Sequence, residues 1–197
     1  MSVCPAAAGS GAARVLLFLG FLGLLALGAC NAPPQAPSEA PVTCSVGEGG
    51  FAVGDGLADY TFPDCDQKPV ALRDLCGARA GLIVNFYGWC TTCYRMVETA
   101  VSLSNKDRAR GLSTMIVVVE GRAGVLADAA YCRMARDYFH PNAVVVYDPE
   151  RRIESYGTTD LAMITDPSAR IVFRRQDADP EIVASAVEAQ LARAGTK

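Results

Sequence analysis

The chain has 197 residues, a net charge of −3 and a pI of about 5.2, so it has no basic footprint for nucleic acid. Its eight cysteines are many for a reduced cytosolic protein of this size and favour an oxidising compartment. Once a leader segment is set aside, the length suits one compact domain.

The N-terminus predicts export and lipid anchoring. Arg14 is the only basic residue before an apolar run over 15–27, which is too short to span a membrane comfortably but suits a signal-peptide core. The run ends in Leu27-Gly28-Ala29-Cys30, which resembles the bacterial lipobox, where the signal is cut before a cysteine that is then lipidated. We therefore expect residues 1–29 to be a lipoprotein signal peptide and Cys30 to be the lipidated first mature residue. An ordinary signal peptide or an uncleaved anchor is the alternative.

The segment after Cys30 predicts a flexible tether. It is rich in Pro, Ala, Gln and Ser, has no apolar periodicity and continues into glycines, so we assign 30–50 to the tether and 51–197 to one folded domain.

Strands and helices alternate along the folded domain, which predicts an α/β fold with a central mixed sheet. The apolar runs, turn residues and helix-start signals predict strands over 60–62, 70–72, 81–87, 115–119, 143–147, 161–165 and 171–174, and helices over 90–105, 125–137, from 148 and from 179. The first two strands form an N-terminal hairpin, and the last two form a second hairpin. The helix over 125–137 should bury Leu126, Ala130 and Met134, which are four residues apart.

Cys90-Thr91-Thr92-Cys93 follows a buried strand and opens a helix, which gives the pair a chemical use. A helix N-terminus favours negative charge, so it lowers the thiol pKa of Cys90 and raises its thiolate fraction. Cys93 lies about one turn further on, close enough to close a disulfide. Cys90 is therefore expected to attack a partner sulfur and Cys93 to resolve the mixed disulfide. Trp89 is expected to cover one side of the site and contact protein substrates.

The cysteine pair has two alternative uses. A zinc site needs about four ligands, whereas the chain has no second C-x-x-C and only one histidine, His140, so we predict no metal site and no cofactor. A permanent structural disulfide is the second alternative, and the strand–helix placement argues against it.

The segment from Val84 to Cys93 resembles thioredoxin-like proteins, in particular the exported TlpA-like and redoxin (AhpC/TSA-related) group. Residues 54–64, 69–75 and 163–172 resemble that group's entry segments and late hairpin, so the similarity covers roughly residues 51–194. The resemblance implies a thioredoxin-like fold with a central mixed β-sheet flanked by helices, extended here by the N-terminal hairpin.

The sequence departs from this family beside the active site. Asp160, after Thr159, stands where the family carries a cis-proline whose backbone edge contacts substrate, so we expect a trans bond and a differently shaped substrate edge at these two residues. We expect the Asp160 side chain to turn outward to water. Asn85 lies near the position of the family's buried acid, and Met96 stands where a Glu is common.

The other cysteines suggest a structural bridge. Cys65 and Cys76 flank the first hairpin, which predicts a Cys65–Cys76 disulfide, with two buried thiols as the alternative. Three roles stay open for Cys132, which could be a buried core cysteine, the disulfide partner of Cys44 or an electron relay.

Together these features predict a thiol–disulfide oxidoreductase of the cell envelope that acts on protein thiols and disulfides and is served by a separate redox donor. It would be anchored in the membrane by lipid and face the periplasm, and Asn31 after the lipidated cysteine slightly favours the outer membrane. The alternatives are a peroxiredoxin-like peroxidase, a copper chaperone of the Sco type and a redox-inert surface binding domain. Between the two cysteines, reductants of this family carry a proline and oxidants carry a histidine. Thr91-Thr92 matches neither pattern, so the direction of electron flow stays open.

Overall fold

The computed structural model describes residues 42–47 and 50–195. The expected signal peptide, the lipidation site Cys30 and most of the expected tether lie outside these residues. Within the described residues, no helix is long and apolar enough to cross a membrane.

The described part of the chain alternates short strands with helices, in the order β1 (Thr61–Pro63), β2 (Pro69–Ala71), β3 (Ala80–Tyr87), α1 (Thr91–Asp107), β4 (Leu112–Arg122), β5 (Val125–Leu126), α2 (Ala129–Phe139), β6 (Val144–Tyr147), β7 (Ala162–Thr165), β8 (Ile171–Arg175) and α3 (Pro180–Ala194). Short 3-10 turns follow β2, α1 and β6. This order confirms the predicted mixed α/β architecture.

A mixed sheet forms the centre of the domain. β3 and β6 run parallel to β4 on its two sides, while β7 pairs antiparallel with β3 and β8 with β7. The short β5 pairs with the end of β4, on the edge that also carries β6. Every residue of β3 is buried, which explains its continuous apolar run. Because β3, β4 and β6 are parallel, their carboxyl ends meet at one edge of the sheet, where α1 begins.

The helices cover the sheet with the apolar faces that their sequences provide. α1 and α3 pack against each other and against β3, while α2 packs against β4 and β6. α3 begins as predicted: Asp179 caps it by accepting a hydrogen bond from the Glu181 amide, and Pro180 is its first residue. Val183, Val187 and Leu191 form its buried stripe.

The predicted helix over 125–137 is wrong at its start and in its buried face. Residues 125–126 form β5, and Asp128 begins the helix by accepting a hydrogen bond from the Tyr131 amide. The buried residues of α2 are Cys132 and Ala135, whereas Leu126 and Met134 are 41% and 54% exposed. Pairing of β5 with β4 removes Leu126 from the helix, and α2 packs on the sheet through Cys132 and Ala135, so the predicted stripe faces outward.

The expected helix start at Asp148 is also wrong. Asp148 is fully buried, and its carboxylate accepts hydrogen bonds from the Glu150 and Ile153 amides, which forms a turn ahead of the 3-10 segment Arg152–Ser155.

The N-terminal hairpin forms as predicted, but the Cys65–Cys76 bridge is wrong. β1 and β2 pair antiparallel, with Phe62 opposite Val70. Cys65 is bonded to Cys132 in α2, and Cys76 is bonded to Cys44.

The path of the chain after the hairpin explains these partners. The turn that contains Cys65 faces β6, and the Cys65 Sγ atom lies 3.7 Å from the Val145 carbonyl oxygen. The 3-10 turn Leu72–Leu75 after β2 leads the chain away, so that the Cys76 Sγ atom lies 3.5 Å from the Pro167 carbonyl oxygen. Cys44 belongs to the range predicted as tether, where Ser45 is buried and donates its amide to the Ser168 carbonyl.

Candidate functional site

The cysteine pair lies where β3 gives way to α1. Cys90 is the N-cap of α1, and Thr91 is its first residue. The Cys93 amide donates a hydrogen bond of 3.2 Å to the Cys90 sulfur, as expected for a free N–H of the first helical turn. The two residues form a disulfide with Cα atoms 5.3 Å apart. A sulfur that caps a helix in this way has its negative charge favoured when it is reduced.

The two sulfurs differ in their access to solvent. Cys90 is 7% exposed to solvent, whereas Cys93 is fully buried. Trp89, directly before the pair, is 48% exposed and presents an apolar ring next to Cys90. An incoming sulfur therefore meets Cys90 first.

A buried carboxylate fixes the Trp89 ring. The Trp89 indole N–H donates a 2.6 Å hydrogen bond to Oε2 of Glu120, which lies near the end of β4 and is 3% exposed. The same carboxylate accepts hydrogen bonds from the Gly124 amide and from Arg151. Burial alone would raise the pKa of Glu120, but these three donors outweigh it and hold the pKa below its ordinary value. Sequence analysis missed Glu120; its signal was a lone acid that follows the apolar run of β4.

Arg151 links this carboxylate to a second one. It donates to Glu154 at 2.9 Å as well as to Glu120, and the Tyr87 hydroxyl donates to Glu154 at 2.8 Å. Burial, followed by the bond to Glu154, raises the pKa of Tyr87 well above its ordinary range, so the phenol stays protonated as a donor. The Tyr87 and Trp89 rings meet edge to face with centroids 5.7 Å apart. The ends of β3 and β4 and the turn after β6 thus hold Trp89 in one orientation.

Two glycines allow a tyrosine to pack closely behind the loop. A Cβ atom on Gly88 would lie 1.8 Å from the Tyr131 Oη atom, and one on Gly121 would lie 2.7 Å from the Tyr131 ring. Tyr131 from α2 therefore packs directly on the backbone that carries Trp89.

Asp160 faces the cysteines, so the expectation that it turns outward to water is wrong. It is 8% exposed, and its Oδ1 atom lies 3.9 Å from the Cys90 sulfur. The Thr92 hydroxyl donates to its Oδ2 atom and lies 3.3 Å from the Cys90 sulfur. Thr159, the other expected substrate contact, is half-buried immediately before it. No peptide bond among residues 42–47 and 50–195 is cis, as expected for this loop.

Asn85 explains why the Asp160 loop turns inward. Its buried side chain donates to the carbonyls of Gly157 and Thr158 and accepts a 2.9 Å hydrogen bond from the Leu161 amide. The loop is therefore fixed on both sides of Asp160, which adopts the left-handed conformation at φ 56°. Once the backbone is held in this way, the Thr92 hydroxyl supplies a partner for the carboxylate in the interior.

A groove of about 870 Å³ opens beside Asp160, between α1 and the start of α3. Most of its ionisable lining residues are acidic: Glu98, Asp160, Asp177, Asp179 and Glu181, with Arg95 as the basic one. Met96, by contrast, is buried in the core, so no acid reaches the site from that position of α1.

In the described part of the chain, one group of three side chains could hold a metal ion, and it consists of Cys90, Cys93 and Asp160. Their sulfur and carboxylate oxygen atoms all lie within 4.8 Å of one another.

This chain is similar to known proteins in its structure rather than in its sequence. No protein-family model and no curated protein matches the sequence. A hypothetical protein of Sinorhizobium meliloti 1021 superposes with a TM-score of 0.64 at 18% identity, over 76% of this chain and 90% of that protein. The pneumococcal exposed lipoprotein thioredoxin Etrx1 of Streptococcus pneumoniae gives 0.56 at 18%, over 67% and 99%. The thioredoxin domain of a thiol-disulfide oxidoreductase from Bacteroides vulgatus gives 0.58 at 18%, over 71% and 98%. The fold of this chain is therefore thioredoxin-like, as the sequence predicted.

Proposed function

We propose that this thioredoxin-like chain is a thiol–disulfide oxidoreductase that exchanges electrons with protein substrates through Cys90 and Cys93. The observation that carries the proposal is the disulfide between them, in which the helix-capping sulfur is the more exposed of the two. Thioredoxin-like neighbours named as oxidoreductases support a redox role.

The exchange proceeds in two balanced steps. In the reduced protein, the Cys90 thiolate attacks one sulfur of a substrate disulfide, forms a mixed disulfide and releases the other substrate sulfur as a thiolate. Cys93 then loses its proton and attacks the Cys90 sulfur, which releases the second substrate sulfur and forms the Cys90–Cys93 disulfide. Two electrons pass to the substrate, and a separate redox donor must return them. The reverse sequence oxidises a substrate dithiol.

Opposing charges act on the Cys90 thiolate. The Cys93 amide and the N-terminus of α1 favour it, whereas the Asp160 carboxylate at 3.9 Å disfavours it. Trp89 directly precedes Cys90, and Asp160 lies beside its sulfur; we propose Trp89, Thr159 and Asp160 as the substrate contacts.

Trapping of partners on the full chain tests this assignment. Cys93→Ser should accumulate mixed disulfides with partner proteins, because Cys90 still attacks and nothing resolves the product. The matched variant Cys90→Ser should trap few, since Cys93 is fully buried. Alkylation rates against pH on each variant would give both thiol pKa values, and Cys90 should be the more acidic.

Two outcomes would overturn the assignment. If only Cys90→Ser traps partners, the attacking and resolving roles are reversed. If neither variant traps partners and neither thiol pKa lies below about 8.5, the value of a free cysteine, the domain is redox-inert.

We further propose that the protein is exported, anchored through a lipid on Cys30 and exposed to the periplasm, with the outer membrane slightly favoured. The Cys44–Cys76 and Cys65–Cys132 bridges support an oxidising compartment. Cys30→Ser should lose its acyl chains and leave the membrane fraction. A variant that stays in the membranes with labelled acyl chains would contradict the lipobox assignment.

A further inference from the structure

The fold adds a third ligand to the cysteine pair. Asp160 is 70 residues from Cys90 in sequence, yet its Oδ1 atom lies 3.9 Å from the Cys90 sulfur. Cys90, Cys93 and Asp160 are each more than nine-tenths buried. Two sulfurs and one carboxylate oxygen therefore converge in a protected place, which the spacing of residues in the sequence could not reveal.

The surroundings of Asp160 hold it in the orientation of a ligand. The Thr92 hydroxyl donates a hydrogen bond to Oδ2 of Asp160, and the Oδ1 atom faces Cys90. Metal-bound carboxylates are commonly oriented by a hydrogen bond of this kind to the other oxygen. Asn85 holds the backbone on both sides of Asp160, so the carboxylate is positioned before any ion arrives.

We propose that the reduced site binds Zn²⁺ through the sulfurs of Cys90 and Cys93 and the carboxylate of Asp160. The Asp160 oxygen lies within 4.8 Å of both sulfurs. The sulfurs are bonded to each other in this structure, and after reduction they must separate to about 3.8 Å, the spacing of tetrahedral sulfurs with zinc–sulfur bonds of about 2.3 Å. Thiolates exclude the hard ions Mg²⁺ and Ca²⁺, and a carboxylate ligand suits Zn²⁺ better than Cu(I), which prefers soft ligands alone. Three protein ligands leave a fourth position for water, so the ion is exchangeable.

Binding and disulfide formation exclude each other. A dithiol reductant first reduces the Cys90–Cys93 disulfide and is itself oxidised to a disulfide. Any thiol proton still held by Cys90 or Cys93 is released to solvent as Zn²⁺ binds to the two thiolates, so at most two protons leave for each ion bound. The bound ion protects both sulfurs from oxidation. This inference holds even if the pair exchanges no electrons with proteins, because it needs only the reduced sulfurs.

Zinc titration of the reduced full chain tests the proposal. Cys4→Ser and Cys30→Ser form the background, which removes the two cysteines outside the described residues. The protein is reduced by a dithiol, which is then removed under anaerobic conditions, and alkylation confirms that only Cys90 and Cys93 are free. Competition with a chromogenic chelator should give one Zn²⁺ per chain, and Co²⁺ should give the intense colour of a tetrahedral thiolate site.

Single variants test the Asp160 ligand, its hydrogen-bond partner and a neighbouring acid separately. Asp160→Asn keeps the shape of the side chain and should weaken Zn²⁺ binding at least 10-fold, and Thr92→Val should weaken it by roughly 10- to 100-fold. Asp177→Asn, in the same groove, should bind like the parent. Parental affinity in Asp160→Asn would overturn the proposal, and so would a parent that binds no more tightly than Cys93→Ser. Trapping by Cys93→Ser is read separately, so a failure here is distinct from a failure of the proposed exchange.

Discussion

The Cys65–Cys132 bridge should make the largest of the three disulfide contributions to the stability of the domain. It joins the turn of the N-terminal hairpin to α2 across 67 residues, and both of its cysteines are buried. The loss of entropy in the unfolded chain for a loop of that length gives about 4.4 kcal/mol, compared with about 3.7 kcal/mol for the Cys44–Cys76 loop and about 2 kcal/mol for the short Cys90–Cys93 loop. A typical domain is stable by only about 5–15 kcal/mol, so replacing Cys65 and Cys132 with Ala should remove a large share of the free energy of unfolding.

A mutant cycle in urea denaturation would separate this pairing from the Cys65–Cys76 pairing expected from sequence. Cys65→Ala and Cys132→Ala each break the same bridge, so the double variant should lose little more than either single variant. Cys65→Ala and Cys76→Ala break different bridges, so their losses should add. If the losses add for Cys65 and Cys132 but not for Cys65 and Cys76, the structural pairing is refuted. Non-reducing peptide mapping gives an independent check.

Two further predictions concern the support of the active-site loop. Glu120→Gln should cost about 1–3 kcal/mol at neutral pH, because the Trp89 indole, the Gly124 amide and Arg151 lose a charged acceptor. The pKa of Glu120 is lowered by folding, so this stabilisation is complete above its unfolded pKa of about 4.3 and is lost as pH falls through the folded pKa. The stability difference between wild type and Glu120→Gln should therefore shrink in acid, and a constant difference would contradict the role of the charge. Gly88→Ala should cost about 1–3 kcal/mol in the same assay, because the new Cβ meets both the Tyr131 hydroxyl and the Gly121 carbonyl oxygen. Adding Tyr131→Phe should restore part of the loss, and no recovery would argue against this packing.

Most of the fold could be predicted because its strands are continuous apolar runs and its last helix has clear caps. β3 is buried along its whole length, and Asp179 with Pro180 marks the start of α3. The prediction failed where tertiary pairing overrode local pattern. Leu126 fits a helical stripe, but pairing of β5 with β4 moved it to an exposed strand.

The site could be predicted only where its residues are neighbours in sequence. The Cys90–Cys93 pair was predicted from its place between a buried strand and a helix. The disulfide partners of Cys65 and Cys76 depend on where the chain runs after the hairpin, which no local pattern specifies. Asp160 is expected in water because Asp side chains are mostly exposed in folded proteins. Its partner Thr92 is 68 residues away in sequence, so the compensating hydrogen bond is visible only in the fold.

The reduction potential of the Cys90–Cys93 pair tests the proposed function most directly. The full chain would be equilibrated with thiol–disulfide buffers of known potential, and the fraction of both cysteines that is reduced would be read by alkylation. An exchanging pair should have a potential between about −270 and −120 mV, the range of thioredoxin and its oxidising relatives. A potential below about −300 mV is typical of a structural disulfide and would contradict the proposal.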